Sequence, residues 1–201
     1  NSNIEPSGVS VMPGAYKLVI DYQSVKDSAM IKVASDPRIP VSEEILQKRY
    51  DLLKELEKKM DLAYRAVERL KDSKTIVDSI KKQASKLDKE ANQGLIKSSD
   101  SINKTIDERI DDMLGKEDKR QGITATKVPT AISYLNNAIS YVSYLTSEPG
   151  ATEKTLIENA NARIDPVIMK INDFYQTEWL DYRKLVENAN LSLFKDYKPL
   201  K

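Results

Sequence analysis

The chain has 201 residues, enough for a sizeable core, and its 32 basic residues balance 31 acidic ones for a net charge of +1. That balance carries no electrostatic footprint for nucleic acid or an anionic membrane. Cysteine and histidine are both absent, which removes disulfides, thiolate chemistry, the commonest general base, the commonest transition-metal ligand and every His-dependent triad.

The first ordered elements are extended. Pro13-Gly14 is a turn signal, and 15-AYKLVIDY-22 places Tyr16, Leu18 and Ile20 on one face of a strand. Gln23-Ser24 then offers a polar turn, and Val25, Ala29, Ile31 and Val33 sketch a second strand. Two strands alone are marginal in water, so the pair needs something to pack on. Asp36-Pro37-Arg38-Ile39-Pro40 follows as a stiff joint, because two prolines fix φ and push their preceding residues toward extended backbone.

Helix starts at Ser42, an N-cap. Tyr50, Leu53, Leu56, Met60, Ala63, Val67 and Leu70 keep three- and four-residue spacings. Ile76, Ile80, Ala84 and Leu87 continue a stripe out of phase with the first, since strict seven-residue extension would place Lys74 and Lys81 inside. The seam is therefore expected to rotate near Ser73 in one helix of about 42–90, roughly 70 Å long. Gly94 interrupts, and Ile102, Ile106, Ile110 and Met113/Leu114 mark a shorter helix ending at Gly115. The charged stretch 115-GKEDKRQGITATK-127 is a loop. Pro129 opens a third helix through Ile132, Leu135, Ile139, Val142 and Leu145, closed by Glu148-Pro149-Gly150. Thr152 restarts a helix to about Leu193, which Pro166 should kink after Ala162. No apolar run approaches the ~20 residues of a membrane span, and residues 1–6 have neither the basic nor the apolar region of a signal peptide.

The order predicts a mainly α fold: an elongated antiparallel helical bundle preceded by a short two-stranded β segment, with residues 1–36 as the strand region and 37–201 as the bundle. Several features together resemble a known arrangement. The pattern 13-PGAYKLVIDY-22 runs into 36-DPRI-39, a long helix follows, 148-EPGAT-152 breaks the chain, and 179-WLDYRKLVENANLSL-193 ends it. This resembles the C-terminal helical tail of secreted BNR-repeat, sortilin-type β-propeller proteins, often labelled glycosyl hydrolases. That family's loop before the third helix tends to be glycine-rich, whereas 116-KEDKRQ-121 is charged. The resemblance implies that the strands end an upstream immunoglobulin-like sandwich, that upstream domains of the same polypeptide are partners, and that the location is periplasmic or secreted. It assigns no catalytic residue to this region.

Candidate sites are few. Asp107 with Asp111, and Glu108 with Asp112, lie one helical turn apart and offer oxygens for a hard cation, but without the alternating acidic loop and glycine of an EF-hand they read as a solvated face. The lysines at 81, 82, 86 and 89 are interleaved with acids and read the same way. Asn103-Lys104-Thr105 and Asn190-Leu191-Ser192 match the glycosylation sequon. Ten of the aromatics are tyrosine. Tyr134, Tyr141 and Tyr144 share one broad helix face, and Tyr175, Trp179 and Tyr182 another. Flat rings there would stack on sugars or touch a partner, although packing between helices is the plainer reading. The expectation is a non-catalytic accessory module with no cofactor, metal or catalytic residue, which braces its parent or holds another protein as a partner by an apolar groove between helices; a carbohydrate-binding module using the tyrosine faces is the alternative. An enzyme built on paired carboxylates ranks last for want of a cleft.

Overall fold

The computed structural model of the chain describes residues 8–87, 89–116, 128–189 and 191. It is mainly helical, with an antiparallel strand pair, β1 (Gly14–Tyr22) and β2 (Val25–Val33), ahead of five helices: α1 (Glu43–Leu87), α2 (Gln93–Leu114), α3 (Ala131–Ser143), α4 (Ala151–Gln176) and α5 (Glu178–Asn188). Among the described residues, one compact unit takes the chain up to Asp61 with Tyr134–Ala160, and the other takes Leu62–Ser133 and Asn161 onward.

In the first unit, Gln23 and Ser24 form the predicted turn, and both take positive φ (46° and 72°). This is the sense of turn that matches the twist of a two-residue hairpin. Glu57 of α1 accepts from the Val9 N–H at 3.3 Å, and the Tyr16 hydroxyl donates to the Met12 carbonyl at 2.6 Å. Asp36 accepts from both the backbone and the guanidinium of Arg38 while the Ile39 N–H returns to the Asp36 carbonyl, so the proline joint is a tight turn. Ser42 caps α1 by accepting from the Ile45 N–H at 3.4 Å. Two further caps sit one and two residues from the predicted helix starts. Thr130, after Pro129 and still in the second unit's stretch of chain, exchanges hydrogen bonds with Ser133 in a reciprocal cap for α3. Gly150, ahead of Thr152, donates its N–H to Glu153 at 2.7 Å and starts α4. Leu46, Leu56, Leu135, Ala138, Val142, Leu145 and Ala160 are the buried apolar residues of this unit, and Arg49 donates to the Leu145 carbonyl at the end of α3.

In the second unit the pairing is antiparallel throughout. As α1 advances from Lys74 to Asp78 to Lys81, its partners on α2 step back from Asp107 to Asn103 to Asp100. Likewise α2 advances from Ser99 through Thr105 to Asp112 while its partners step back from Tyr182 through Glu178 to Lys170. Gly94 does not interrupt α2 but lies in its first turn. Gly115 ends it as expected, at φ +83°, where a Cβ would also run into Thr130 Cγ2.

Two expectations about the long helices are corrected. The buried line of α1 does not rotate near Ser73: Leu56, Ala63, Leu70, Val77 and Ala84 keep strict seven-residue spacing, and Ile76 and Leu87 are exposed. Only the second line slips by one place. Ser73 enters the core while Lys74 and Lys81 stand beside the seam, where their ammonium groups reach acids of α2. A lysine at the rim keeps its charge solvated, so a one-residue slip is cheaper than turning the seam. Nor does one helix run from Thr152 to about Leu193: α4 continues through Pro166 but ends at Gln176. Pro166 and Ala162, whose carbonyl loses its donor, both lie on the exposed side, where water can serve that carbonyl. The interruption falls at Thr177, whose hydroxyl donates back to the Asp173 carbonyl at 2.8 Å and whose backbone leaves helical angles (φ −121°, ψ −88°).

Candidate functional site

The strand pair is the most unusual surface. Register pairs Tyr16 with Ile31, Leu18 with Ala29, Ile20 with Asp27 and Tyr22 with Val25 on one face, and Lys17 with Met30, Val19 with Ser28 and Asp21 with Lys26 on the other. The first face is apolar apart from Asp27, yet it is open: Leu18 is 47%, Ile20 61%, Tyr22 68% and Val25 69% exposed. The second carries Lys17, Lys26, Lys32 and Asp21, with Lys26 on Asp21 at 2.9 Å. Near the base, Gly14, Tyr16 and Val33 are half-buried. Single exposed apolar residues are ordinary, but a contiguous run on one face of a sheet marks an interaction surface. Neither strand has a second neighbour among the described residues, so each presents unpaired backbone along its outer edge.

The two tyrosine faces behave differently. On α3, Tyr134 is half-buried and Tyr141 is 53% exposed, and Tyr144, one residue past the end of the helix, is 83% exposed. In the second unit, Tyr175, Trp179 and Tyr182 join Phe174 in one cluster. Ring centroids are 5.1 Å apart for Phe174–Tyr175, 5.9 Å for Tyr175–Trp179 and 6.1 Å for Trp179–Tyr182. The Arg69 guanidinium lies 5.6 Å from the Tyr175 ring centroid. Each tyrosine hydroxyl is tied off: Tyr175 to Ser73 of α1 and Tyr182 to Ser99 of α2, both at 2.9 Å. Ser99 already donates to the Leu95 carbonyl, so Tyr182 donates to Ser99. Burial is the leading cause that raises both phenol pKa values, and the serine bonds oppose it. Phe174 and Tyr182 are buried, and Tyr175 and Trp179 are half-buried. The geometry of this cluster is that of a packed seam between helices.

The acidic run of α2 is spread over ion pairs rather than gathered. Asp107 meets Lys74, Asp112 meets Lys170 at 3.1 Å and Glu108 lies 4.0 Å from Lys104. Lys81 of the basic stretch is held by Asp100. Asn103 of the first sequon lies inside α2, its amide donating to Asp78 at 2.7 Å and the sequon hydroxyl of Thr105 donating to Glu178. The second sequon and most of the charged loop, residues 117–127, fall outside the described residues. No described helix is long and apolar enough to cross a membrane. In comparisons with family models, with curated proteins and with solved structures, nothing matches the chain.

Sequence reasoning names Ser73 only as the place where the seam should turn and does not name Ser99, since serine reads as surface. Their spacing held the signal: Ser73 stands three after Leu70 and four before Val77, and Ser99 four after Leu95 and three before Ile102, both on buried lines.

Proposed function

We propose that this chain is a non-catalytic accessory module that holds a partner through the apolar face of its strand pair. What supports the reading is the open run of Leu18, Ile20, Tyr22 and Val25, an area of apolar surface that a stable fold normally covers. The partner of first choice is an upstream domain of the same polypeptide, as in the secreted propeller proteins that the PGxYxL strand and DPR joint resemble. Hydrogen exchange tests it directly. The backbone amides of β1 and β2 should be protected in the native, unprocessed polypeptide and exchange faster in the 201-residue chain at dilutions where it is monomeric; equal exchange in both would sink it. The intact mass of the native polypeptide tests the parent: several times 22.8 kDa supports an upstream propeller, and a mass near 22.8 kDa removes it.

The second reading is glycan binding by Tyr141 and Tyr144, favoured by the exposure of both rings at the end of α3. Titration with soluble polysaccharides should then perturb the Tyr141 and Tyr144 ring signals, and Tyr144→Ala should abolish binding. Unperturbed ring signals across a panel of neutral and acidic polysaccharides would dismiss it.

A further inference from the structure

The outer edge of β1 carries information of its own. A two-residue loop closes on Tyr22 and Val25 as a hydrogen-bonded pair, and such pairs alternate along an antiparallel ladder. Gly14, Tyr16, Leu18, Ile20 and Tyr22 therefore turn their backbone groups toward β2, while Lys17, Val19 and Asp21 turn theirs outward. Side chains from 17 to 22 are all exposed, and nothing described pairs with this edge.

We infer that β1 pairs with β1 of a second copy, antiparallel about Val19. A twofold axis through Val19 makes it face its own copy and lets Lys17, Val19 and Asp21 exchange hydrogen bonds with Asp21, Val19 and Lys17 of the other chain. On the polar face each Lys17 stands opposite an Asp21. Lys17 makes no ion pair among the described residues, and Asp21, 2.9 Å from Lys26, keeps its side chain 55% exposed. On the apolar face Leu18 meets Ile20, and Tyr16 meets Tyr22. Every other register loses this match: an axis at Lys17 or Asp21 opposes like charges, and one at Leu18 or Ile20 leaves Lys17 facing an apolar or turn residue. The β2 edge has no equivalent, because its polar face carries Lys26 and Lys32 and no acid. Pairing β1 with β2 of another copy would not close and would add hairpins without limit. The product of the β1 pairing is a closed dimer with a four-stranded sheet whose apolar face is twice as wide. The inference stands apart from the accessory-module reading, since it uses the edge of the sheet and not its face.

Sedimentation of the 201-residue chain, up to roughly 100 µM because contacts this small sit at the weak end of specific association, should show a species of twice 22.8 kDa. Lys17→Asp opposes two acids at each symmetric contact, and Asp21→Lys combined with Lys26→Asp opposes two lysines while keeping the pair inside the hairpin. Each variant alone should raise the dimer dissociation constant at least about tenfold. Mixed in equal amounts, they should recover wild-type association, since every clash becomes a match. A monomeric wild type, growth beyond the dimer, variants that dimerise as the wild type does, or a mixture that fails to associate would each overturn the pairing. Loss of β1 protection in the native polypeptide bears only on the module reading and leaves these outcomes untouched.

Discussion

The strand pair and the aromatic end of the helical unit treat the same kinds of side chain in opposite ways. Around Phe174, rings meet rings at tilted or edge-on angles, apolar atoms are out of water and each buried hydroxyl has a serine to bond. On β1 and β2 a comparable set of Leu, Ile, Val and Tyr lies in water. Helices can bury a stripe against each other within one short chain, because every backbone group is already satisfied inside each helix. A lone hairpin has no second layer, and half its backbone groups face outward. The first region is finished by its own sequence, and the second leaves its apolar face open among the described residues.

The comparison breaks most visibly at Phe174. Phe174→Ala should cost about 3–5 kcal/mol, the range for emptying a filled aromatic site. Urea unfolding followed by the fluorescence of Trp179, the chain's one tryptophan, measures it; a cost below about 1 kcal/mol would mean that the cluster is not a core. Next comes the hydroxyl pair. Ser99→Ala leaves the Tyr182 hydroxyl without its acceptor and should cost about 1–3 kcal/mol, whereas Tyr182→Phe should cost about 0.5–1.5 kcal/mol. The double variant should be no worse than Ser99→Ala alone, which a double-mutant cycle reads directly.

A smaller effect follows from pH. Both Tyr175 and Tyr182 hold pKa values above the ordinary 10.0 in the fold. The unfolded chain therefore loses its phenol protons first on an alkaline titration. Their contribution is complete below pH 10.0 and is lost as pH rises through the higher folded values. The urea midpoint should fall from about pH 10 upward, and Tyr175→Phe with Tyr182→Phe should flatten that decline. The smallest effect sharpens the contrast from the other side. Ile20→Ser on the open face should change the stability of the isolated chain by no more than about 0.5 kcal/mol. A loss near that of Phe174→Ala would show that the face is covered within the chain itself.

Much of this architecture was legible in the sequence where a residue's local chemistry decides the outcome. Gln23-Ser24 as the turn, Ser42 as a cap and Gly115 as a stop are all local decisions. What escaped was set by which side of an element faces water. Ile76 and Val77 are equally apolar, and only the partner helices choose Val77. Pro166 is tolerated because it sits on an open flank, and Thr177 interrupts where no proline or glycine gives warning. Thr152 reads as the residue that restarts the helix, yet Gly150 and the Glu153 carboxylate supply the closing bond. For the tyrosines, composition told of two faces and could not tell that one is tied down by serines while Tyr141 and Tyr144 stand free of burial.

The hairpin turn has a consequence beyond its shape. Gln23 and Ser24 both occupy left-handed backbone without the glycine or asparagine that adopts it readily, at about 1 kcal/mol or more for each residue. The turn therefore opposes the strand pairing that it closes, and under the docking proposed above part of the binding free energy would go into holding the strands. Affinity there would then be adjustable from the two turn residues. Gln23→Asn with Ser24→Gly would ready the strands in advance, so the same contacts would hold longer before letting go.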